Sequence, residues 1–206
     1  MEPGFQPGMQ PLSRCAEIDP GKTHGRETEL HRPGADFFFC RNRKGVELHE
    51  KLNLHLASEK DTEALGAKIA RTLRPGLAIF LEGDLGAGKT ALARSIIRAL
   101  GHEGKVKSPT YTLVELYTIS GLNLYHFDLY RFEDPDEWNE SGFREYFNPE
   151  SIVMVEWPEK GGAFLPTPDI RIVLGVEGEG RRAEIEATSE TGSRCLTALK
   201  SGSLSC

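Results

Sequence analysis

The chain has 206 residues, of which 38% are hydrophobic and 27% charged, a length and composition that suit one soluble α/β domain. Its formal net charge of −6 argues against sequence-independent binding of nucleic acid, because neutralising phosphates requires a basic surface. No apolar run approaches the roughly 18 residues that span a bilayer, and no signal-peptide pattern stands at the N-terminus, so we expect a cytoplasmic protein without membrane contact.

The first 50 residues differ from the rest of the chain in composition and in hydrophobic pattern. Residues 1–50 carry scattered Pro, Gly, Arg and His without a sustained period of 2 or 3.6, which predicts a loosely ordered N-terminal extension. Gly21-Lys22-Thr23 imitates the end of a phosphate-binding loop, but Ala16 stands where the first glycine belongs, so we attribute it to chance. We expect a domain over residues 51–190 and a C-terminal tail over 191–206.

Alternating strand and helix patterns follow from residue 51. Leu52, Leu54 and Leu56 alternate with polar residues as in a half-buried strand, and Ser58 is a helix cap. Apolar residues at i+4 spacing predict a helix that Pro75-Gly76 ends. The further predicted elements are a buried strand at 77–81, a helix at 88–100, a hairpin of 112–119 and 122–130, a buried strand at 151–156, and a late hairpin of 170–176 and 183–187.

Residues 83–90 form a P-loop. They read Gly-Asp-Leu-Gly-Ala-Gly-Lys-Thr, which fits G-x-x-x-x-G-K-S/T, with a predicted strand before and a helix after. Such a loop turns its backbone N–H groups and a helix N-terminus toward a polyphosphate. Lys89 then reaches the outer phosphates and Thr90 is placed to ligate magnesium. The sequence therefore predicts a single P-loop NTPase-like α/β domain, a mixed β-sheet flanked by helices, that binds a nucleoside triphosphate with Mg²⁺ and hydrolyses it.

Two further groups of polar residues leave alternatives open. Glu156 ends the buried run 152–155, where a second magnesium ligand usually stands, but a solvated acid at a strand end would occupy the same position. His126, Asp128 and Tyr130 share one face of a predicted strand. That face is either a functional site or the wet side of an antiparallel sheet.

Four motifs together resemble the TsaE (YjeE) family. The P-loop is followed by Ser-Pro-Thr-Tyr-Thr-Leu-Val at 108–114, His-Phe-Asp-Leu-Tyr-Arg at 126–131 and Glu-Trp-Pro-Glu at 156–159. The resemblance covers about residues 54–187, and residues 1–50 match nothing in that family. It implies a partner-stimulated ATPase required for threonylcarbamoyl modification of the anticodon-adjacent adenosine in tRNAs that read A-starting codons. The implied partners are the TsaB and TsaD proteins, with tRNA reached only indirectly through their complex.

The resemblance also implies roles for individual residues. It assigns Lys89, Asp128 and Glu156 to catalysis, with Asp128 positioning the attacking water or a magnesium-bound water. Thr90 and Glu156 are the implied magnesium ligands, and Ser108 and Thr110 belong to a switch segment that senses the γ-phosphate. The residues implied to contact ATP or its product ADP are Glu59, Asp84, Leu85, Gly86, Ala87, Gly88, Lys89, Thr90, Ser108, Thr110, Trp157 and Arg181.

Two other P-loop classes compete with this interpretation. A small-molecule kinase needs an arginine-rich lid, whereas the candidate lid at 132–148 carries six acidic residues that would repel a phosphorylated acceptor. A GTPase switch needs the N-K-x-D signature for guanine, which the chain lacks. Tyr130 and Arg131 at the end of the third motif have a partner-facing or charge-stabilising role in this interpretation, unless Arg131 is a simple surface arginine.

Overall fold

The computed structural model describes residues 50–201. The predicted extension, except Glu50, and the Gly21-Lys22-Thr23 sequence lie outside the described residues. In chain order the elements are β1 (Glu50–Leu56), α1 (Glu59–Thr72), β2 (Ala78–Glu82), α2 (Lys89–Ala99), β3 (Val114–Ile119), β4 (Leu122–Asp128), α3 (Asp136–Glu140), a short 3-10 helix (Phe143–Tyr146), β5 (Ser151–Glu156), a second 3-10 helix (Pro158–Phe164), β6 (Ile170–Glu177), β7 (Gly180–Ala187) and α4 (Glu190–Ser201).

The seven strands form one mixed sheet in the order β1-β7-β6-β2-β5-β4-β3. The four central strands run parallel, since β2 pairs with β5 and β6, and β5 also pairs with β4. Antiparallel pairs lie on both sides, β3 with β4 at one end and β6, β7 and β1 at the other. The predicted mixed α/β sheet and both predicted hairpins are therefore confirmed.

The two faces of the sheet carry different cores. Because strand side chains alternate, Ile79 and Leu81 of β2 face the helices α1, α2 and α4, whereas Phe80 between them points to the opposite face. There it joins an aromatic cluster that contains Phe127 and Trp138. Both faces of the central strands are thus covered, as their continuous apolar sequences predicted.

Helix α1 forms as its sequence predicted. Ser58 has an extended backbone, and its N–H donates to Asp61 Oδ2 at 2.9 Å. The apolar stripe that includes Leu65 and Ile69 is buried. Gly66 lets α1 approach α2 closely, because a Cβ at that position would lie 2.5 Å from Cβ of Ser95. None of the helices in the described part of the chain is long and apolar enough to cross a membrane.

The predicted C-terminal tail is corrected by the structure. Most of residues 191–206 belong to helix α4, which runs over Glu190–Ser201 and packs against α1, β1 and β7. Cys195 and Leu196 are buried in this contact, and the Cys195 thiol donates to the Thr72 carbonyl at 3.2 Å. Burial also raises the pKa of the Cys195 thiol. The helix escaped prediction because Thr, Gly and Ser, which are weak helix formers, interrupt its short apolar stripe.

We predict that Leu196→Ala destabilises the domain by about 3 kcal/mol, because it leaves a cavity between α4 and the sheet. Urea unfolding followed by circular dichroism measures the change. The adjacent exposed Thr197→Ala is the matched control and should change stability by less than about 0.5 kcal/mol. Equal, small effects for both variants would show that α4 does not contribute to the core.

Candidate functional site

The glycine-rich loop connects β2 to α2. Gly83, Gly86 and Gly88 have φ of +129°, +81° and +106°, which disfavour any side chain. Space is restricted as well, because a Cβ on Gly83 would lie 2.1 Å from the carbonyl oxygen of Leu174 in β6. The loop therefore requires glycine for both conformation and close packing, and it ends at the N-terminus of α2.

Lys89 is a buried cation inside this loop. Its Nζ donates to the carbonyl oxygens of Gly83 at 2.6 Å and Asp84 at 2.9 Å, and its side chain lies 3.6 Å from the centroid of the Trp157 ring. Burial lowers the pKa of the ammonium group, an effect that nearby carboxylates, chiefly Glu156, oppose. A buried ammonium whose hydrogen bonds go to carbonyl oxygens is well suited to meet an anionic ligand.

Trp157 is held in an unusual conformation next to that lysine. Its φ of 58° and ψ of 48° lie in the left-handed region, which is costly for a large side chain. This backbone turns the chain out of β5 directly after Glu156 and brings the indole over Lys89. Tyr130 packs beside the indole, with ring centroids 5.1 Å apart. The two aromatic side chains form one wall of the site.

Glu156 connects the loop with the sheet. Its Oε2 accepts a hydrogen bond from Thr90 Oγ1 at 2.8 Å, and its Oε1 lies 2.8 Å from His126 Nε2. Both Glu156 and His126 are almost completely buried, with 1% and 0% of their surfaces exposed. The interpretation of Glu156 as a solvated acid is therefore wrong, and its carboxylate is aimed at the first turn of α2.

Asp128 holds the segment that precedes β3. Its Oδ2 accepts hydrogen bonds from Ser108 Oγ and Thr110 Oγ1, each at 2.6 Å, and its Oδ1 accepts from the Tyr130 N–H at 3.1 Å. In the parallel pair of β4 and β5, Asp128 is in register with Glu156. Because Asp128 and His126 are both buried, this strand face is not the wet side of the sheet.

These groups line one cleft of about 310 Å³ at the carboxyl ends of β2, β4 and β5. The cleft brings together most of the predicted site residues and, in addition, Tyr130 and Ala91. Its lining residues are Leu85, Gly86, Gly88, Lys89, Thr90, Ala91, Ser108, Thr110, Asp128, Tyr130, Glu156 and Trp157. A larger cavity of about 380 Å³ lies between β1, α1 and α4, but leucines form much of its lining and it has no glycine-rich loop.

Four of the predicted nucleotide-contacting residues lie outside this lining. Arg181 Nε donates to the Ala87 carbonyl at 3.0 Å, so Arg181 contacts the backbone of the loop. Ala87 itself is fully buried, and Asp84 contributes its carbonyl oxygen to Lys89. Glu59 is the exposed first residue of α1. The alternation of side chains predicted the correct face for His126, but its contact with Glu156 depends on the strand register, which the sequence does not reveal.

The donor set is compatible with one magnesium ion. No group of three or more His, Cys, Asp or Glu side chains within residues 50–201 is arranged to hold a metal. Magnesium in a phosphate site does not require such a group, because it retains waters and takes oxygen ligands from one or two side chains and from the substrate. The Thr90 hydroxyl and Glu156 carboxylate supply oxygen atoms of that kind, 2.8 Å apart.

Comparison with known proteins identifies similar chains. A family model described as threonylcarbamoyl adenosine biosynthesis protein TsaE matches residues 56–184. The tRNA threonylcarbamoyladenosine biosynthesis protein TsaE of Haemophilus influenzae is 42% identical over 155 residues, which cover 73% of this chain and 98% of the relative. Its namesake from Bacillus subtilis is 35% identical over 133 residues, covering 65% and 83%. The crystal structure of Bacillus subtilis YdiB has a TM-score of 0.66 at 26% identity, and the match covers 76% of this chain and 99% of that one.

We predict that Gly83→Ala and Gly86→Ala differ in their cost to stability. The first combines an unfavourable φ with the clash against Leu174 and should destabilise the domain by about 3 kcal/mol. The second has no atom within 4 Å of the added Cβ, so only the positive φ remains, at a cost of about 1 kcal/mol. Urea unfolding of both variants measures the difference, and equal losses would contradict the close approach of the loop to β6.

Proposed function

The chain belongs to the TsaE family, whose members take part in tRNA threonylcarbamoyladenosine biosynthesis, and from this premise we propose that it is a P-loop ATPase of that pathway. It binds Mg-ATP in the cleft and hydrolyses it. It is required for threonylcarbamoyl modification of the adenosine next to the anticodon in tRNAs that read A-starting codons. It acts on the complex of TsaB and TsaD, and contacts tRNA only through that complex.

The observation that carries the proposal is the convergence of a buried lysine, a threonine hydroxyl and two buried carboxylates at one helix N-terminus. Lys89 and the backbone N–H groups of the loop provide positive charge for the outer phosphates. Thr90 and Glu156 supply the oxygens for magnesium. When bound, the ion neutralises charge on the phosphate oxygens. Asp128 is the acid that orients water, and no covalent intermediate with the protein is required.

Ser108 and Thr110 are proposed to sense the γ-phosphate. Both hydroxyls are bonded to Asp128, and the next residue, Tyr111, is 84% exposed. Leu85 on the P-loop is 74% exposed. Leu85 lines the cleft and Tyr111 follows a residue that lines it, so both side chains are accessible to a protein partner beside the nucleotide. They support partner docking close to the nucleotide. If docking orders the segment with Ser108 and Thr110, hydrolysis by the chain alone is slow.

The acidic segment after β4 does not support the kinase alternative. A kinase lid has to open and close over its substrates. In this protein the segment is anchored by Phe132 and Trp138, each 2% exposed, in the aromatic cluster beneath the sheet. ATP hydrolysis that requires a metabolite and not a protein partner would contradict the proposed function. Tighter binding of GTP than of ATP in a competition experiment would contradict it as well.

The test of the proposed function is ATP hydrolysis by the chain alone and with purified TsaB and TsaD. We expect turnover that the pair stimulates. In Lys89→Ala, binding and turnover should fall to background, because the cleft loses its buried cation. The matched control is Lys160→Ala, which removes an exposed lysine near the same cleft and should retain full activity. Partner-independent turnover, or normal turnover in Lys89→Ala, would overturn the proposal.

We also predict that Glu156→Ala raises the magnesium concentration needed for half-maximal ATP binding by on the order of tenfold, because one oxygen ligand is lost. Isothermal titration of ATP at a series of magnesium concentrations measures this. Glu133→Ala, a substitution of an exposed acid outside the cleft, serves as the control. An unchanged metal dependence in Glu156→Ala would remove Glu156 from the magnesium site.

A further inference from the structure

His126 is a fully buried polar residue to which the proposed mechanism gives no role. It lies on β4 in register with Met154, two residues before the position of Glu156 on β5. Its imidazole therefore reaches diagonally across the two strands, and Nε2 lies 2.8 Å from Glu156 Oε1. His126 does not line the cleft, and among the described residues its ring hydrogen-bonds to Glu156 alone, so Glu156 is its direct link to a ligand there.

The hydrogen bonds of the ring identify its tautomer. Nδ1 has no hydrogen-bond partner among the described residues, whereas Nε2 faces a carboxylate oxygen, which only accepts when ionised. A proton on Nε2 satisfies the carboxylate and leaves Nδ1 as a bare acceptor. A proton on Nδ1 alone would instead leave an N–H group unpaired and place two lone pairs face to face, which is costly in a buried site. The ring therefore carries a proton on Nε2 and donates it to Glu156 Oε1.

This bond divides the two oxygens of Glu156 between different neighbours. Oε1 is held by His126 on the side of the sheet, and Oε2 is held by Thr90 at the first turn of α2. A glutamate side chain has three rotatable bonds and would otherwise populate several rotamers. With Oε1 fixed, the carboxylate presents a single oxygen toward Thr90 and the cleft.

We propose that His126 is a positioning residue that fixes the Glu156 carboxylate by Oε1, so that Oε2 is presented as a single-oxygen ligand for a divalent cation beside Thr90. This inference rests on the proposed Mg-ATP function of the cleft. A hydrogen-bonding partner of a metal ligand typically changes metal affinity by about 10- to 100-fold when it is removed. His126 should therefore affect magnesium dependence without contacting magnesium or nucleotide.

Two amide substitutions distinguish positioning from simple packing. In His126→Gln the side-chain nitrogen can occupy the place of Nε2 and donate to Glu156. In His126→Asn the same amide is one methylene shorter and stops near the place of Nδ1. In the His126→Asn variant we expect the magnesium concentration for half-maximal ATP binding to rise roughly tenfold. In the His126→Gln variant it should stay within about threefold of the wild-type value. Thermal unfolding of both variants checks that each is folded under the binding conditions.

A second measurement examines the tautomer in the wild-type protein without metal or nucleotide. Nitrogen-15 NMR of the imidazole should show a protonated Nε2. An unprotonated Nε2 would overturn the proposal regardless of how the variants fold. Equal magnesium dependence of the Gln and Asn variants, in a wild type that binds ATP with magnesium, would also overturn it. If the wild type shows no magnesium-dependent ATP binding, the proposed function fails instead, and the ligand role assigned to Glu156 fails with it.

Discussion

The parallel pairing of β2, β5 and β4 is the constraint on which the site depends. Parallel strands bring their carboxyl ends to one edge of the sheet, and there the loop after β2 meets the last residues of β4 and β5. The register sets Asp128 beside Glu156, and the loop after β2 leads into α2 on the face toward which both carboxylates point. A shift of one residue in either strand would turn one carboxylate to the aromatic face.

Burial makes the polar groups of this site depend on one another. Lys89, His126, Asp128 and Glu156 are each no more than 4% exposed, and an unpaired buried charge would cost several kcal/mol. Within the protein, Lys89 donates hydrogen bonds to carbonyl oxygens, Asp128 accepts them from hydroxyls, and Glu156 is bonded to a hydroxyl and an imidazole. In the proposed function, Mg-ATP adds contacts to those that the protein makes with itself. The Lys89 ammonium has three N–H donors and gives two of them to carbonyls, and the Thr90 hydroxyl donates to Glu156 while its oxygen keeps lone pairs for the cation.

The two cores support this arrangement from opposite sides of the sheet. On one face α1, α2 and α4 pack aliphatic side chains against the strands, which holds the first turn of α2 at the phosphate loop. On the other face, aromatic side chains from β4 and the following segment pack together, with the rings of Phe127 and Trp138 5.5 Å apart. The strand ends that carry the site are consequently braced on both faces, while the loop tip with Leu85 stays exposed.

The local features of this protein are predictable from its amino-acid sequence alone. The P-loop, the strands, the first two helices and the hairpins follow from apolar periodicity, glycine positions and turn residues, which act over a few neighbouring residues. The family followed from four short motifs, and the family comparison confirmed it. Only the folded structure shows the order of the strands, the inclusion of α4 in the domain, and the contact of His126 with Glu156. Those features depend on register and packing between residues far apart in the chain, such as the 30 positions that separate His126 from Glu156, and no local pattern encodes them.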